Sequence, residues 1–312
     1  MASAKRSIQT VGLVVKRERP EAVTIARTLT RFLRSKHKTP IADSETAKKI
    51  GAETVERHHL ADRADLIVVL GGDGTLLGVA RLVASKGIPI IGVNLGGLGF
   101  LTEVTIREAQ AALGRVLAGD YEVDKRIMLE AIIERASEQL AQSYQAFNDV
   151  VVGKGPLGRM LDLDVFANRT AFCSYRADGL IVATPTGSTA YAFSAGGPVV
   201  WPEVEALLMV PISAHALFAP PMVVSPRSVL AVELIVASET SGAVLWCDGR
   251  RKVDLPPGAR VEVRRGALPV LLARLQAPGA HTGGFTDRLV VKFGLPVAGW
   301  RGHTWEDAGE HA

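Results

Sequence analysis

The first 120 residues alternate between short apolar runs and amphipathic segments. Residues 66–70 form a run of five apolar side chains, rich in Ile and Val, which leads into Gly71, Gly72, Asp73 and Gly74. A run this short and this apolar predicts a parallel strand buried on both faces. Apolar residues then recur near helical spacing, so we expect the glycines to form a strand-to-helix turn.

Further elements of both kinds surround this strand. The pattern predicts strands at 10–15 and 88–93, helices from Pro20 to about Leu33 and at 107–117, and a weaker strand-helix pair within 38–63. Strands that alternate with helices indicate a parallel sheet built of right-handed βαβ units. The strand at 88–93 also ends in a glycine-rich loop, 94–101. Two glycine loops are therefore expected at the carboxyl ends of neighbouring strands, where open α/β sheets bind ligands.

From about residue 124 the pattern becomes short, β-rich and punctuated by turns. Strands are predicted at 127–136, 144–152, 160–166, 171–175, 179–183, 222–225, 229–237, 243–247, 251–255, 261–264 and 270–275. Residues 247–250 carry an Asp-Gly hairpin signal. Short strands at this spacing indicate a β-sandwich. We expect an α/β domain at 1–123, an all-β domain at 124–280, and a segment at 281–312 that packs back on the first domain.

Composition narrows the class of protein. A chain of 312 residues with 47% hydrophobic and 22% charged residues is globular and long enough for two domains. No apolar run reaches the roughly 20 residues needed to span a bilayer, and the polar N-terminus lacks a signal-peptide core, so we expect a cytoplasmic protein without membrane partners. The net charge of +4 is scattered, which argues against nucleic acid.

The first glycine turn is a candidate phosphate site. Gly72 and Gly74 would let a phosphate approach the backbone, and the helix N-terminus favours its negative charge. Asp73 would lie among these donors, available to hold a metal ion or accept a proton. The alternative is a tight turn in which Asp73 only caps the helix.

Two segments of the β-rich region also carry candidate chemistry. Residues 184–194 hold six hydroxyl groups, more than helix capping by Thr186 or Ser188 requires, and Tyr191 offers a ring for stacking. Asn148 and Asp149 interrupt a strand pair, and a carboxylate can accept two hydrogen bonds from a ribose diol. The alternative for each is an ordinary turn. The two glycine-rich loops lack the full G-x-G-x-x-G pattern, and the sequence has no P-loop and no metal-ligand spacing of His or Cys.

Together these segments resemble the bacterial NAD kinases. The resemblance rests on residues 71–75, 94–101, 148–149 and 178–198. It implies NAD bound in a cleft between an α/β domain and a β-sandwich, ATP as phosphoryl donor to the 2′-hydroxyl of the adenosine ribose, and a divalent metal ion, Mg or Mn. It also implies a homodimer or homotetramer in which a neighbouring subunit helps to build each site.

The resemblance assigns roles to particular residues. Asp73 is implied as the catalytic base or positioning group. The implied substrate- and nucleotide-binding residues are Gly72, Gly74, Thr75, Phe100, Asn148, Asp149, Arg159, Arg176, Asp178, Thr186, Ser188, Thr189, Ala190, Tyr191, Ser194 and Arg250. The family often has Asn-Glu where this chain has Asn148-Asp149, so the diol contact is expected to shift slightly. Arg176 stands where a basic residue accompanies use of ATP rather than polyphosphate, with a surface arginine paired to a carboxylate as the alternative.

Two other classes share part of the pattern. A diacylglycerol- or sphingosine-type lipid kinase has the same Gly-Gly-Asp-Gly-Thr loop but needs an apolar acceptor pocket, whereas residues 184–191 are rich in hydroxyls. A non-catalytic NAD(P)-binding regulator would be expected to lack Asp73.

Overall fold

The chain forms two compact units. The computed structural model describes residues 7–16, 18–97, 99–134, 142–155, 159–235, 242–275 and 284–295. Leu98 of the second glycine loop, and parts of the segments predicted at 127–136, 229–237 and 281–312, lie outside these ranges. One unit comprises Met1–Leu76, Pro89–Asp124 and Ala273–Ala312, and the other comprises Leu77–Ile88 and Lys125–Leu272. Residues 77–88 thus group with the β-rich region, although sequence order predicts them in the first domain.

The elements up to residue 126 alternate strand and helix as predicted. They are β1 (Thr10–Val15), α1 (Pro20–Ser35), β2 (Thr39–Ala42), α2 (Ser44–Ile50), β3 (Glu53–Thr54), α3 (Leu60–Arg63), β4 (Leu66–Gly71), α4 (Asp73–Val83), β5 (Pro89–Asn94), β6 (Val104–Thr105), α5 (Ala109–Leu117) and β7 (Glu122–Arg126). Helix α1 begins with Pro20 because the missing N–H is unused in the first turn.

The parallel sheet places the two glycine loops side by side. Its order is β3-β2-β1-β4-β5, with β6 paired to β5. All six residues of β4 are buried, as its apolar run predicts. Gly71 at the end of β4 is in register with Asn94 at the end of β5. The turn at Gly72 and the loop after Asn94 therefore leave the same edge of the sheet.

The remaining strands are mostly antiparallel. The elements are β8 (Leu129–Glu134), β9 (Gln142–Ala146), β10 (Asp149–Lys154), β11 (Leu161–Ala167), β12 (Thr170–Ala177), β13 (Gly179–Ala183), α6 (Tyr191–Ser194), β14 (Leu207–Ile212), β15 (Met222–Val224), β16 (Leu230–Leu234), β17 (Ala243–Cys247), β18 (Arg251–Leu255), β19 (Arg260–Arg265), β20 (Val270–Arg274) and α7 (Phe285–Phe293). Two six-stranded sheets have the orders β15-β14-β13-β10-β17-β18 and β12-β11-β16-β19-β8-β9. Buried residues from both, such as Val152 and Leu180 from one and Leu163 and Val261 from the other, form a single core. The β-sandwich prediction is confirmed.

Two predictions about individual elements, concerning β14 and β20, were wrong. Strand β14 was missed because its apolar run LLMVPI contains Pro211, and proline inside a run argues against a strand interior. Residues 144–152 are two strands, β9 and β10, separated at residues 147–148, which agrees with the strand pair predicted around Asn148 and Asp149. Strand β20 belongs to the first sheet, whose order continues after β5 with β20 and β7, because alternation does not specify which sheet a strand joins. Among the helices that the structure describes, none is long and apolar enough to cross a membrane.

Candidate functional site

Asp73, the first residue of α4, holds the loop that follows β5. Its Oδ2 accepts a hydrogen bond from the Phe100 N–H at 2.7 Å, and its Oδ1 accepts from the N–H groups of Leu101 and Thr102 at 3.1 and 3.2 Å. The Thr102 hydroxyl lies 3.4 Å from Oδ1. The sequence predicts a carboxylate that is open to a metal ion or a proton. In the structure, most of the acceptor positions of Asp73 are occupied by backbone N–H groups. A carboxylate offers about four acceptor positions, so Oδ2 retains one.

Glycines make this contact possible. A Cβ at Gly99 would lie 2.2 Å from Asp73 Oδ1, so the loop reaches the carboxylate only without a side chain there. A Cβ at Gly71 would lie 2.6 Å from Thr75 Oγ1. Gly72 has open space around it, as expected of a backbone that a phosphate approaches. Gly74 and Thr75 follow in the first turn of α4.

Phe100 packs within its own unit against α7. Its ring centroid lies 5.8 Å from that of Phe285 and 6.0 Å from that of Phe293, and Lys292 Nζ lies 4.8 Å from the ring centroid. Its carbonyl accepts a hydrogen bond from Arg288 at 2.5 Å. Phe100 therefore has a structural role that the sequence did not reveal. Its expected nucleotide contact stays a prediction.

A cavity of about 390 Å³ lies in the second unit, within the range of about 300–1,000 Å³ usual for small-molecule sites. It is lined by Asn148, Asp149, Val151, Ala190, Tyr191, Trp246, Asp248 and Gly249. Four of these residues were predicted to bind nucleotide. Tyr191 is 47% exposed, so its ring is available for stacking.

Asp149 and Asn148 bring unsatisfied polar atoms to this cavity. Asp149 begins β10 and is only 4% exposed, and no other described residue forms a hydrogen bond or ion pair with its carboxylate. Burial, reinforced by the nearby negative charge of Asp248, raises the pKa of Asp149 from 3.8 to about 7. Within the described chain the buried Asn148 Oδ1 also has no hydrogen-bond partner. Polar groups left unpaired in a cavity are the groups expected to bind a ligand.

Asp248 is a functional candidate that the sequence analysis missed. It lies in the hairpin between β17 and β18, where positive φ values at Asp248 and Gly249 match a type I′ turn. Its buried carboxylate accepts hydrogen bonds from the N–H groups of Phe147 at 2.9 Å and Asn148 at 2.7 Å, and pairs with Arg81 at 2.6 Å. The Asp-Gly signal predicted the turn, but no local pattern links it to residue 147.

Thr184 and Gly187 fix the loop that faces Asn148. The Thr184 hydroxyl donates to the Phe147 carbonyl at 2.7 Å and accepts from the Gly187 N–H at 3.0 Å. A Cβ at Gly187 would lie 2.0 Å from the Asn148 carbonyl oxygen, so this close approach requires glycine.

Two hydroxyls predicted to bind nucleotide have partners inside the protein. Ser188 is fully buried; its Oγ donates to the Pro185 carbonyl at 2.7 Å and accepts from the Val200 N–H at 3.0 Å. Thr186 accepts a hydrogen bond from Arg126 at 3.2 Å. Neither hydroxyl caps α6. These hydrogen bonds fix the loop, and the nucleotide contacts of Thr186 and Ser188 stay predictions.

Two other predicted charged residues also have protein partners. Asp178 pairs with Lys154 at 2.7 Å, and Arg176, whose side chain is 67% exposed, lies 3.7 Å from Asp162 on the neighbouring strand. The pairing of Arg176 matches the surface-arginine alternative. Neither lines the cavity.

The remaining residues predicted to bind nucleotide are mostly exposed or half-buried. Arg159, Ser194 and Arg250 are exposed, and Thr189 is half-buried with its hydroxyl 3.5 Å from the Thr186 carbonyl. Ala190 lines the cavity beside Tyr191. No cluster of three or more His, Cys, Asp or Glu side chains suited to a metal ion occurs in the described ranges.

Comparison with known proteins identifies the family. The ATP-NAD kinase N-terminal domain matches residues 11–121, and the ATP-NAD kinase C-terminal domain matches residues 147–275. The chain belongs to the NAD kinase family. An NAD kinase 2 of Streptomyces avermitilis is 48% identical over 300 residues, covering 94% of this chain and 97% of that protein. An NAD kinase of Thermobifida fusca is 46% identical over 313 residues, covering 96% and 93%.

Solved structures share the fold of this NAD kinase family member. A yeast NADH kinase complexed with NADH matches with a TM-score of 0.83 and 24% identity, covering 93% of this chain and 89% of that chain. An NAD kinase from Archaeoglobus fulgidus in complex with ATP matches with a TM-score of 0.66 and 24% identity, covering 92% and 97%.

Proposed function

We propose that this chain transfers the γ-phosphoryl group of ATP to the 2′-hydroxyl of the adenosine ribose of NAD and so forms NADP. The observation that carries the proposal is the buried, unpaired carboxylate of Asp149 in a cavity of nucleoside size. Membership of the NAD kinase family supplies the reaction.

The second unit provides groups for the adenosine half of NAD. The Asp149 carboxylate accepts hydrogen bonds from a ribose diol, as acidic residues do in dinucleotide folds. Asn148 Oδ1 accepts from the exocyclic amine of adenine, which satisfies a buried acceptor that the protein leaves open. The Tyr191 ring stacks on the base.

The first unit provides groups for phosphoryl transfer. The open backbone at Gly72 and the N-terminus of α4 favour the approach of donor phosphates. A secondary hydroxyl is a weak nucleophile near neutral pH, and transfer otherwise depends on alignment and charge neutralisation. Asp73 Oδ2, with its remaining acceptor position, orients this hydroxyl or takes its proton.

The divalent metal ion, Mg or Mn, enters as part of the substrate. The described residues form no cluster of carboxylates or histidines for a resident ion. We assign the metal to the ATP phosphates, because Mg²⁺ is usually bound by substrate phosphates and only one or two protein carboxylates.

The family resemblance adds features beyond the site. These are assembly into a homodimer or homotetramer, a cytoplasmic location, and the absence of nucleic-acid or membrane partners. Size-exclusion chromatography with light scattering tests the assembly, and a single monomeric species would contradict it.

The decisive experiment is the formation of NADP. Purified protein is incubated with NAD, ATP and Mg²⁺, and the product is measured with an NADP-specific dehydrogenase. The Asp73→Asn variant is the matched control because it keeps the shape of the side chain. Absence of NADP with wild-type protein that binds NAD would refute the catalytic proposal and leave the regulator alternative.

The lipid kinase alternative is disfavoured by the cavity. Asn148 and Asp149 give its wall two polar side chains, which an acyl chain would leave without partners. Replacing NAD by diacylglycerol or sphingosine in the same assay tests this point.

A further inference from the structure

The Asp248 carboxylate joins the hairpin between β17 and β18 to the start of β10. Its Oδ1 accepts from the N–H of Asn148 at 2.7 Å and lies 3.4 Å from the N–H of Asp149. The Phe147 N–H lies 2.9 and 3.1 Å from the two carboxylate oxygens. The Asp248 N–H in turn donates to the Asp149 carbonyl at 3.0 Å. One side chain therefore determines the path of three consecutive residues.

Arg81 balances the charge of this carboxylate. The Asp248 side chain has no exposed surface, and Arg81, itself 18% exposed, lies 2.6 Å from Oδ2. A buried carboxylate is costly to keep ionised unless it is paired and hydrogen-bonded. Residue 81 belongs to α4 and follows the nucleotide turn, so the pair depends on an element far from the hairpin in sequence.

We propose that Asp248 and Arg81 are positioning residues for NAD: together they set the direction in which Asn148 and Asp149 face the cavity. This inference rests on the proposed function. Neither residue is required to touch the reacting atoms. Their contribution is the orientation of the two side chains that receive adenosine.

A purely structural role would give a different result. If the pair only stabilised the fold, folded variants would bind NAD normally. In the positioning role, residues 147–149 relax when their shared acceptor changes, and the Asn148 and Asp149 side chains lose their alignment. Burial and, after it, the charge of Asp248 raise the pKa of Asp149. Because Arg81 is the cation that faces Asp248, variants of either residue are expected to shift the pH dependence of NAD binding.

The test uses paired variants of the full chain. Asp248→Asn keeps the size of the side chain but removes its charge and one acceptor, whereas Arg81→Gln removes the cation and Arg81→Lys retains it. Glu130→Gln, which breaks the Glu130–Arg264 pair on the other sheet, is the matched control. For each, the Michaelis constants for NAD and ATP and kcat are measured, with the dissociation constant for NAD by calorimetry and the melting temperature.

We expect Asp248→Asn and Arg81→Gln to raise the Michaelis and dissociation constants for NAD about tenfold, with kcat and the ATP constant changed less than about threefold. Arg81→Lys is expected to recover most of the NAD affinity, and the Asp248→Asn/Arg81→Gln double variant to be non-additive. Glu130→Gln should bind NAD as the wild type does.

Folded Asp248→Asn and Arg81→Gln variants with unchanged NAD constants would overturn the inference while leaving the proposed function intact. If Asp248→Asn fails to fold, the Arg81→Gln and Arg81→Lys pair decides the question, because equal NAD affinity in those two would also overturn it. If the wild type forms no NADP, the proposed function itself is refuted, which is a different outcome.

Discussion

Asp149→Asn is expected to remove a pH dependence from both stability and NAD affinity. The substitution keeps the shape of the side chain and abolishes its titration. In the wild type, burial and the adjacent Asp248 charge raise the pKa of Asp149 from 3.8 to about 7. At 1.36 kcal/mol per pKa unit, this difference corresponds to about 4 kcal/mol.

The direction of the stability effect follows from proton binding. The folded protein holds the Asp149 proton up to about pH 7, whereas the unfolded chain releases it near pH 4. The unfolded state therefore binds fewer protons between these values, and the free energy of unfolding falls by about 1.4 kcal/mol for each pH unit of increase. The contribution is fully present below about pH 4 and lost above about pH 7.

NAD affinity should change in the opposite direction. A carboxylate that accepts two hydrogen bonds from the ribose diol must be ionised, so the proton has to leave before NAD binds. Below about pH 7 the Michaelis constant for NAD is expected to rise by up to about tenfold per pH unit. The Asn variant should bind NAD more weakly near neutral pH, since one lost acceptor costs about 1–3 kcal/mol, but with little pH dependence.

Two assays examine this reasoning. Urea unfolding of wild type and Asp149→Asn from about pH 5 to about pH 8 gives the difference in unfolding free energy, in which other titrating groups cancel. The Michaelis constant for NAD is measured over the same range, with ATP saturating. A difference in unfolding free energy that stays constant with pH, together with parallel NAD profiles for the two proteins, would refute the assigned titration of Asp149.

The remaining predictions concern Asp73, Gly187 and the phosphoryl donor. Asp73→Asn should lower kcat by about 10²–10⁴-fold and also speed hydrogen exchange of the amides it accepts from, measured by mass spectrometry; unchanged turnover would remove Asp73 from the mechanism. Gly187→Ala should weaken NAD binding and lower the melting temperature, because its Cβ would lie 2.0 Å from the Asn148 carbonyl oxygen, and normal binding by calorimetry would contradict this. ATP should be a far better donor than polyphosphate, and Arg176→Gly should reduce the difference between the two donors. Arg176 has Asp162 as its partner in the structure. Equal rates of NADP formation from both donors in the wild type would be incompatible with a role for Arg176 in donor choice.

What the sequence predicts well is local. The apolar run at 66–70 and the glycines after it specify strand β4 and its turn, because burial on both faces and the need for small residues are properties of adjacent positions. Asn148 and Asp149 are also adjacent in the sequence, and both line the cavity. The Asp-Gly at 248–249 specified a hairpin through its positive φ values.

What the sequence does not reveal is which polar groups already have partners. Ser188 looked like a ligand-binding hydroxyl, yet its partner Val200 lies 12 residues away. Asp73 looked open, yet it accepts from amides 27 to 29 residues along the chain. Asp248 looked only like a turn residue, because the sequence gives no sign of its contact with Asn148, 100 positions away. Each of these pairings depends on tertiary structure rather than on spacing.

The long separation between Asp248 and residues 147–149 has a consequence for biosynthesis. During translation, Phe147 leaves the ribosome 101 residues before the carboxylate that orders it. At about 5–20 residues per second, this delay is about 5–20 s. The amides of residues 147–149 lack their acceptor throughout that interval, so nascent chains truncated before residue 248 should not retain NAD. NAD can therefore assist folding only after the hairpin has been made.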